Sequence, residues 1–86
     1  MRKYELIPAD GRKSFYGKAV VIEKDNGENV LQSYNTEVCK VTNNGEFVRL
    51  WGGYSATTMR HINSFLQFVG IAGGGKSWWD AQTVEA

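Results

Sequence analysis

The chain has 86 residues, 42% of them hydrophobic and 22% charged, with ten Lys and Arg against nine Asp and Glu for a formal charge of +1. So short a chain makes one small globular domain that buries only roughly 60% of its unfolded surface, which argues against a deep multi-part active site and makes self-association an option. The even charge balance argues against a dedicated duplex-DNA binder, and the lone Cys39 rules out an internal disulfide.

No run reaches the roughly 20 apolar residues that cross a bilayer, and the opening residues 1–8 are too short and polar for a secretory apolar region, so the cytoplasm is the expected address. Residues 1–13 read as an N-terminal arm with a short strand near 4–7. Asp10-Gly11, Asp25-Asn26-Gly27 and Asn43-Asn44-Gly45 then punctuate runs rich in Val, Ile, Phe, Tyr and Thr. Residues 14–51 therefore read as an antiparallel β-meander with strands over 14–24, 30–42 and 46–51. A two-residue turn at Asn44-Gly45 sets Val41 against Val48 and Cys39 against Leu50 on a core side, with Lys40 against Arg49 and Thr42 against Phe47 on the other. In the first hairpin the core side collects Val20, Ile22 and Leu31. Ser33, Asn35 and Glu37 then break the alternation, which predicts a bulge or sharp twist within residues 33–37.

After Gly52-Gly53-Tyr54 the period becomes helical, with Met59, Ile62, Phe65, Leu66 and Val69 on one apolar stripe. A main helix over 56–69 follows, with Ser55 as N-cap and Gly70 as a left-handed terminator. Residues 71–86 form a Gly-rich linker and a tail whose Ser77-Trp78-Trp79-Asp80 begins a short helical turn. The fold class is α+β: a three- or four-stranded antiparallel sheet, one amphipathic helix packed on one face, and a short C-terminal turn.

Residues 70–77 match the phosphate-cradling Gly-x-x-x-x-Gly-Lys-Ser pattern, but a helix precedes them where that loop needs a buried strand, and we read the match as accidental. His61 lacks partners at metal-ligand spacing and reads first as structural, with a proton-transfer role second; neither a metal nor a cofactor is expected. Cys39, in a strand at core parity, reads as a small hydrophobe. The other sheet face would hold Lys40 and Arg49 with Tyr34, Val38, Phe47 and Trp51 around them. It is either a stacking and phosphate-pairing surface or a second packing surface with the cations at its rim. Trp78 and Trp79 are adjacent, so one docks on the core and the other is a candidate partner anchor.

Two stretches, Leu31-Gln32-Ser33-Tyr34-Asn35-Thr36-Glu37-Val38 and Arg49-Leu50-Trp51-Gly52-Gly53-Tyr54-Ser55-Ala56-Thr57-Thr58-Met59-Arg60-His61-Ile62-Asn63-Ser64-Phe65, resemble a small uncharacterised domain family of bacteria, phages and mobile elements. Its marks are a Ser-Tyr-x-Thr strand and an Arg-Leu-Trp-x-Gly-Tyr-Ser-Ala-Thr-Thr-x-Arg-His-Ile-Asn helix entry; the triple glycine and the doubled tryptophan depart from it. The resemblance brings no established activity. It implies a small accessory protein of a mobile element and singles out Tyr54, Ser55, Thr57, Thr58, Arg60 and His61. Hydroxyls and an arginine at a helix start suit an anion or a partner's carboxylate; equally, Ser55 caps, Thr57 and Thr58 are surface, and Arg60 pairs with an acid.

The leading expectation is a non-enzymatic binding protein that modulates a host component, such as a defence system, by covering a host protein or sequestering a small nucleotide. The alternative is a nucleic-acid-binding module using the Lys40, Arg49, Phe47 and Trp51 face. An enzyme comes third, because it needs His61 with Ser55 or Thr57 in one pocket.

Overall fold

A computed structural model describes residues 1–9, 11 and 14–85. Its strands are β1 (Arg2–Glu5), β2 (Ala19–Glu23), β3 (Asn29–Ser33), β4 (Thr36–Val41) and β5 (Phe47–Arg49), followed by helices α1 (Ala56–Val69) and α2 (Lys76–Ala81). The five strands form one antiparallel sheet in the order β1-β2-β3-β4-β5. The α+β class and the helix positions are as the sequence predicts. The expected strand over 30–42 is instead two strands, folded back through Tyr34 and Asn35 so that Ser33 faces Thr36. No Gly or Pro marks that turn; Tyr34 itself takes the left-handed conformation, φ 55.

The turns after β2 and β4 each contain one residue more than the minimal hairpin. Thr42 N–H donates to Glu46 O at 2.9 Å and Gly45 N–H to Thr42 O at 2.9 Å, with Gly45 at φ 86. This is a three-residue loop ending in a left-handed glycine, and Asp25-Asn26-Gly27 repeats it, with Gly27 at φ 89. The expected two-residue turn is thereby corrected. A single-residue change of register exchanges the faces of a strand: Cys39 faces Arg49, Lys40 faces Val48 and Val41 faces Phe47. In the first hairpin Val21 faces Leu31 and Ile22 faces Val30, so Val20 and Ile22 lie away from Leu31. The predicted bulge is present slightly further along, where Val38 is the extra residue between the pairs Leu31–Cys39 and Gln32–Glu37.

The core lies between the sheet and α1. Ala19, Val21, Leu31, Val38, Cys39 and Val41 meet Met59, Ile62, Phe65 and Leu66, with Leu6, Phe15 and Trp79 completing the cluster. On the far face Val30 and Ile22 are also buried. Lys40 stands directly across from Val30, and its ammonium reaches Glu28 at 3.1 Å, which lays its aliphatic stem over the sheet.

Both ends of α1 are closed as expected. Ser55 Oγ accepts from Thr58 N–H at 3.1 Å. At the other end Gly70, φ 78, donates to Gln67 O while Ile71 N–H returns to Leu66 O at 2.9 Å, the paired bonds of a Schellman motif. Of the two tryptophans Trp79 docks on the core and is fully buried, whereas Trp78 is half-buried with its ring 4.9 Å from that of Phe47. No helix among the described residues is long and apolar enough to cross a membrane.

Candidate functional site

Most polar groups of the two sequence motifs are consumed inside the fold. Arg49 is the largest case. The register carries it to the core side, 6% exposed, under α2. Its Nε donates to Trp51 O at 2.8 Å, Nη1 to Trp79 O at 2.9 Å and to Gln82 O at 3.4 Å, and Nη2 to Gly53 O at 3.3 Å. The guanidinium also stacks over the Trp79 ring, 4.2 Å from its centre. Every described hydrogen-bond acceptor is a carbonyl oxygen, two of them from the end of α2, where a cation is favoured.

The expected basic face of Lys40 and Arg49 is therefore not formed. Lys40 is on the opposite side of the sheet with Glu28, and Phe47 packs against Trp78. Trp51 is half-buried, and Gly53 leaves room for its indole: a Cβ at Gly53 would meet that ring.

The second internal assembly joins the two motifs. Ser33 Oγ, at the end of β3, lies 2.7 Å from His61 Nδ1 and 3.2 Å from Thr58 Oγ1 of α1. His61 is 1% exposed; the Phe15 ring stands edge-on at 4.5 Å and the Tyr34 ring lies at 5.8 Å. Burial, reinforced by the nearby positive charges of Arg60 and Lys18, pulls the imidazole down from 6.5 to about 4, so it is neutral at physiological pH. A nucleophile activated by a histidine needs an oriented base and open reach to a substrate. Here the group beside the pair is a second hydroxyl and the aromatic rings close it over. The cluster works as a clamp that fixes Ser33, the residue before the Tyr34 turn. Cys39 is likewise buried, which pushes its thiol well above the usual range.

Other predicted residues divide in the same way. Ser55 caps α1, and Asn63 Oδ1 accepts from Gly75 N–H at 3.2 Å, tying the glycine run to the helix. Within that run, a Cβ at Gly73 would meet the Trp78 indole and one at Gly74 the Asn63 side chain. The phosphate-loop look-alike is thus a tightly packed connection between two helices, and its Lys76 pairs with Asp80 at 2.8 Å. Tyr54 and Thr57 are exposed, with Lys76 Nζ 5.3 Å from the Tyr54 ring centre.

What remains at the surface beside the clamp is the Phe15–Lys18 turn, which the sequence does not single out, and the neighbouring turn of Tyr34, which it sets around Lys40 and Arg49 instead. Lys18 N–H donates to Phe15 O at 3.0 Å, and the central residues Tyr16 and Gly17 have φ 54 and 77. Tyr34 N–H donates to Lys18 O at 2.7 Å, so the two turns lie side by side. Lys18 Nζ is 5.7 Å from the Tyr34 ring centre, and the Arg60 guanidinium is 5.2 Å from that of Phe15. Tyr16 and Tyr34 are the non-glycine residues with positive φ among the described residues, and their side chains stand out, the residues being 75% and 47% exposed. The sequence carried part of this signal in Tyr16-Gly17 and Ser33-Tyr34, but nothing in a single sequence places a tyrosine at positive φ.

No curated protein and no solved structure matches the chain. A family model does match, over residues 3–81, which takes in both motifs, all of the sheet but Arg2, α1 and α2. The chain belongs to that family, a family of unknown function designated DUF8033.

Proposed function

We propose that this chain is a small non-enzymatic binding protein, of the phage or mobile-element type that its motifs resemble, which modulates a host component by holding a host protein against the paired Tyr16 and Tyr34 turns. The observation that supports this reading is the backbone of those two residues. A bulky side chain in the left-handed region costs of order 1–3 kcal/mol, and such strain gathers where function requires it. Glycine or asparagine would relieve it at both positions. Tyrosine at both positions presents two large, rigid, amphipathic rings at the surface, the residue type that anchors protein interfaces. Lys18 and Arg60 supply a polar, cationic rim, and the Ser33–His61–Thr58 clamp beneath holds one turn in place.

The test separates binding from folding. The double variant Tyr16→Gly/Tyr34→Asn is compared with the native protein as bait in a bacterial lysate, with captured proteins identified by mass spectrometry and the melting temperature of each bait recorded. The expected outcome is a specific protein held by the native chain and lost by a variant that still melts cooperatively, relief of strain at both turns offsetting the loss of the Tyr34 ring over His61. Equal capture by both baits sinks the reading.

A further inference from the structure

We propose that the chain pairs with a second copy of itself through the outer edge of β1, in an antiparallel register that sets Lys3 against the partner's Glu5. The sheet order leaves two end strands. At β5 the tail runs alongside, through the parallel bridge of Arg49 with Val84 and the Glu85 N–H bond to Arg49 O at 2.8 Å. At β1 no described residue pairs with the outer edge, which leaves unpaired backbone donors and acceptors as a template for another strand.

The phase of the β1–β2 ladder fixes which groups are offered. Leu6 N–H donates to Ala19 O at 2.9 Å, and Arg2 to Glu5 pair with Glu23 to Val20 in the same register. Alternation then directs the N–H and C=O of Arg2, Tyr4 and Leu6 toward β2, and those of Lys3 and Glu5 outward. A two-fold axis perpendicular to the sheet preserves its faces, so residues that meet across the axis come from the same side of β1. Lys3 and Glu5 share a side. The register with Tyr4 on the axis therefore joins Lys3 to the partner's Glu5, and Glu5 to the partner's Lys3, each pair exchanging both backbone hydrogen bonds.

Charge selects this register over its neighbours. Moving by one allowed step in either direction brings Lys3 onto the partner's Lys3, or Glu5 onto the partner's Glu5, and like charges directly opposite are unfavourable. Charged edge strands commonly discourage pairing, but here the two signs become complementary under the two-fold axis. Glu5 accepts from Ser14 Oγ at 2.8 Å and Gly17 N–H at 3.1 Å, both through Oε1, so that among the described residues Oε2 stays available to the partner's ammonium. The helix-side face of the same edge is apolar. A groove of about 390 Å³ lies beside it, lined by Tyr4, Leu6, Ile7, Pro8 and Phe68. Phe68 is 49% exposed with its ring edge-on to Tyr4 at 5.8 Å, and Ile7 is 79% exposed. A second copy brings its own Tyr4 and Phe68 to this face, whereas an unrelated strand would need the charge complement by chance.

Sedimentation analysis of the full chain across a concentration series tests the pairing. Lys3→Glu and Glu5→Lys should each raise the dimer dissociation constant at least about 10-fold by opposing like charges. An equimolar mixture of the two variants should recover a heterodimer. Lys3→Pro removes an outward N–H while leaving the bonds to β2 intact, so it should also yield a folded monomer; it serves as the independent arm should Glu5→Lys disturb the Ser14 and Gly17 contacts. A native chain that is monomeric at NMR concentrations, or a dimer indifferent to Lys3→Glu and Lys3→Pro, overturns the proposal.

Discussion

His61 illustrates how one residue can be essential to a surface it does not reach. Its ring is sealed by Phe15 and Tyr34 and bonded to Ser33, and burial holds it neutral down to about pH 4, compared with 6.5 for an exposed imidazole. The consequence for stability has a definite sign. Above pH 6.5 both folded and unfolded chains carry a neutral ring and the fold keeps its full stability. As pH falls below 6.5 the unfolded chain takes up a proton that the folded chain refuses, so stability declines until about pH 4, by about 3 kcal/mol in all. Carboxylates dominate acid unfolding lower down, so the informative window is pH 6.5 to about 5, where they stay ionised. Urea denaturation across that window should show a falling midpoint for the native chain and a flatter profile for His61→Asn, whose amide can still reach Ser33. A native midpoint that does not move would mean that the imidazole is reached by water.

At the scale of elements, the sequence made some boundaries legible and hid others for identifiable reasons. α1 was readable because Ser55, the apolar stripe and Gly70 are local signals that agree with one another. The hairpins were readable in position but not in register, because Asn43-Asn44-Gly45 is compatible with either a two-residue or a three-residue loop, and one residue decides which face Arg49 takes. The division of β3 from β4 was hidden because Tyr34-Asn35 carries neither Gly nor Pro, and the left-handed position falls on the tyrosine instead of on Asn35. The clamp was invisible as well, since Ser33 and His61 meet across 28 residues of chain. The loop after β4 has a discriminating test. In the observed turn Asn43 follows Thr42, the carbonyl acceptor, and occupies the position where proline fits a type I turn. Asn43→Pro should thus leave stability within about 0.5 kcal/mol or raise it slightly. In a two-residue turn Asn43 would pair with Glu46, and the same substitution would break a ladder bond. A loss well above 1 kcal/mol in denaturant titration would therefore contradict the register that buries Arg49.

At the scale of the whole molecule, the tail and the sheet are expected to unfold as a single cooperative unit, because the same side chains belong to both. Trp79 is fully buried in the core while its indole N–H donates to Gly53 O at 2.8 Å, and Arg49 on β5 holds the carbonyls at the end of α2. Peeling α2 away would expose a tryptophan and strand a buried guanidinium, so the tail is expected to open together with the core. Cys39 reports this directly. It is buried opposite Leu31 and Arg49, and its thiol is held protonated by burial, so a thiol reagent reaches it only when the core opens. Arg49→Met takes the described side-chain donor from the carbonyls of Trp51 and Gln82 and one of two donors from those of Gly53 and Trp79, and should cost about 2 kcal/mol. In the regime where closing outpaces modification, that raises the rate of Cys39 labelling about 30-fold, in step with faster amide exchange across α2 and β3 alike. Faster exchange confined to α2, with Cys39 labelling unchanged, would instead make the tail a separately folding appendage and Arg49 only its latch.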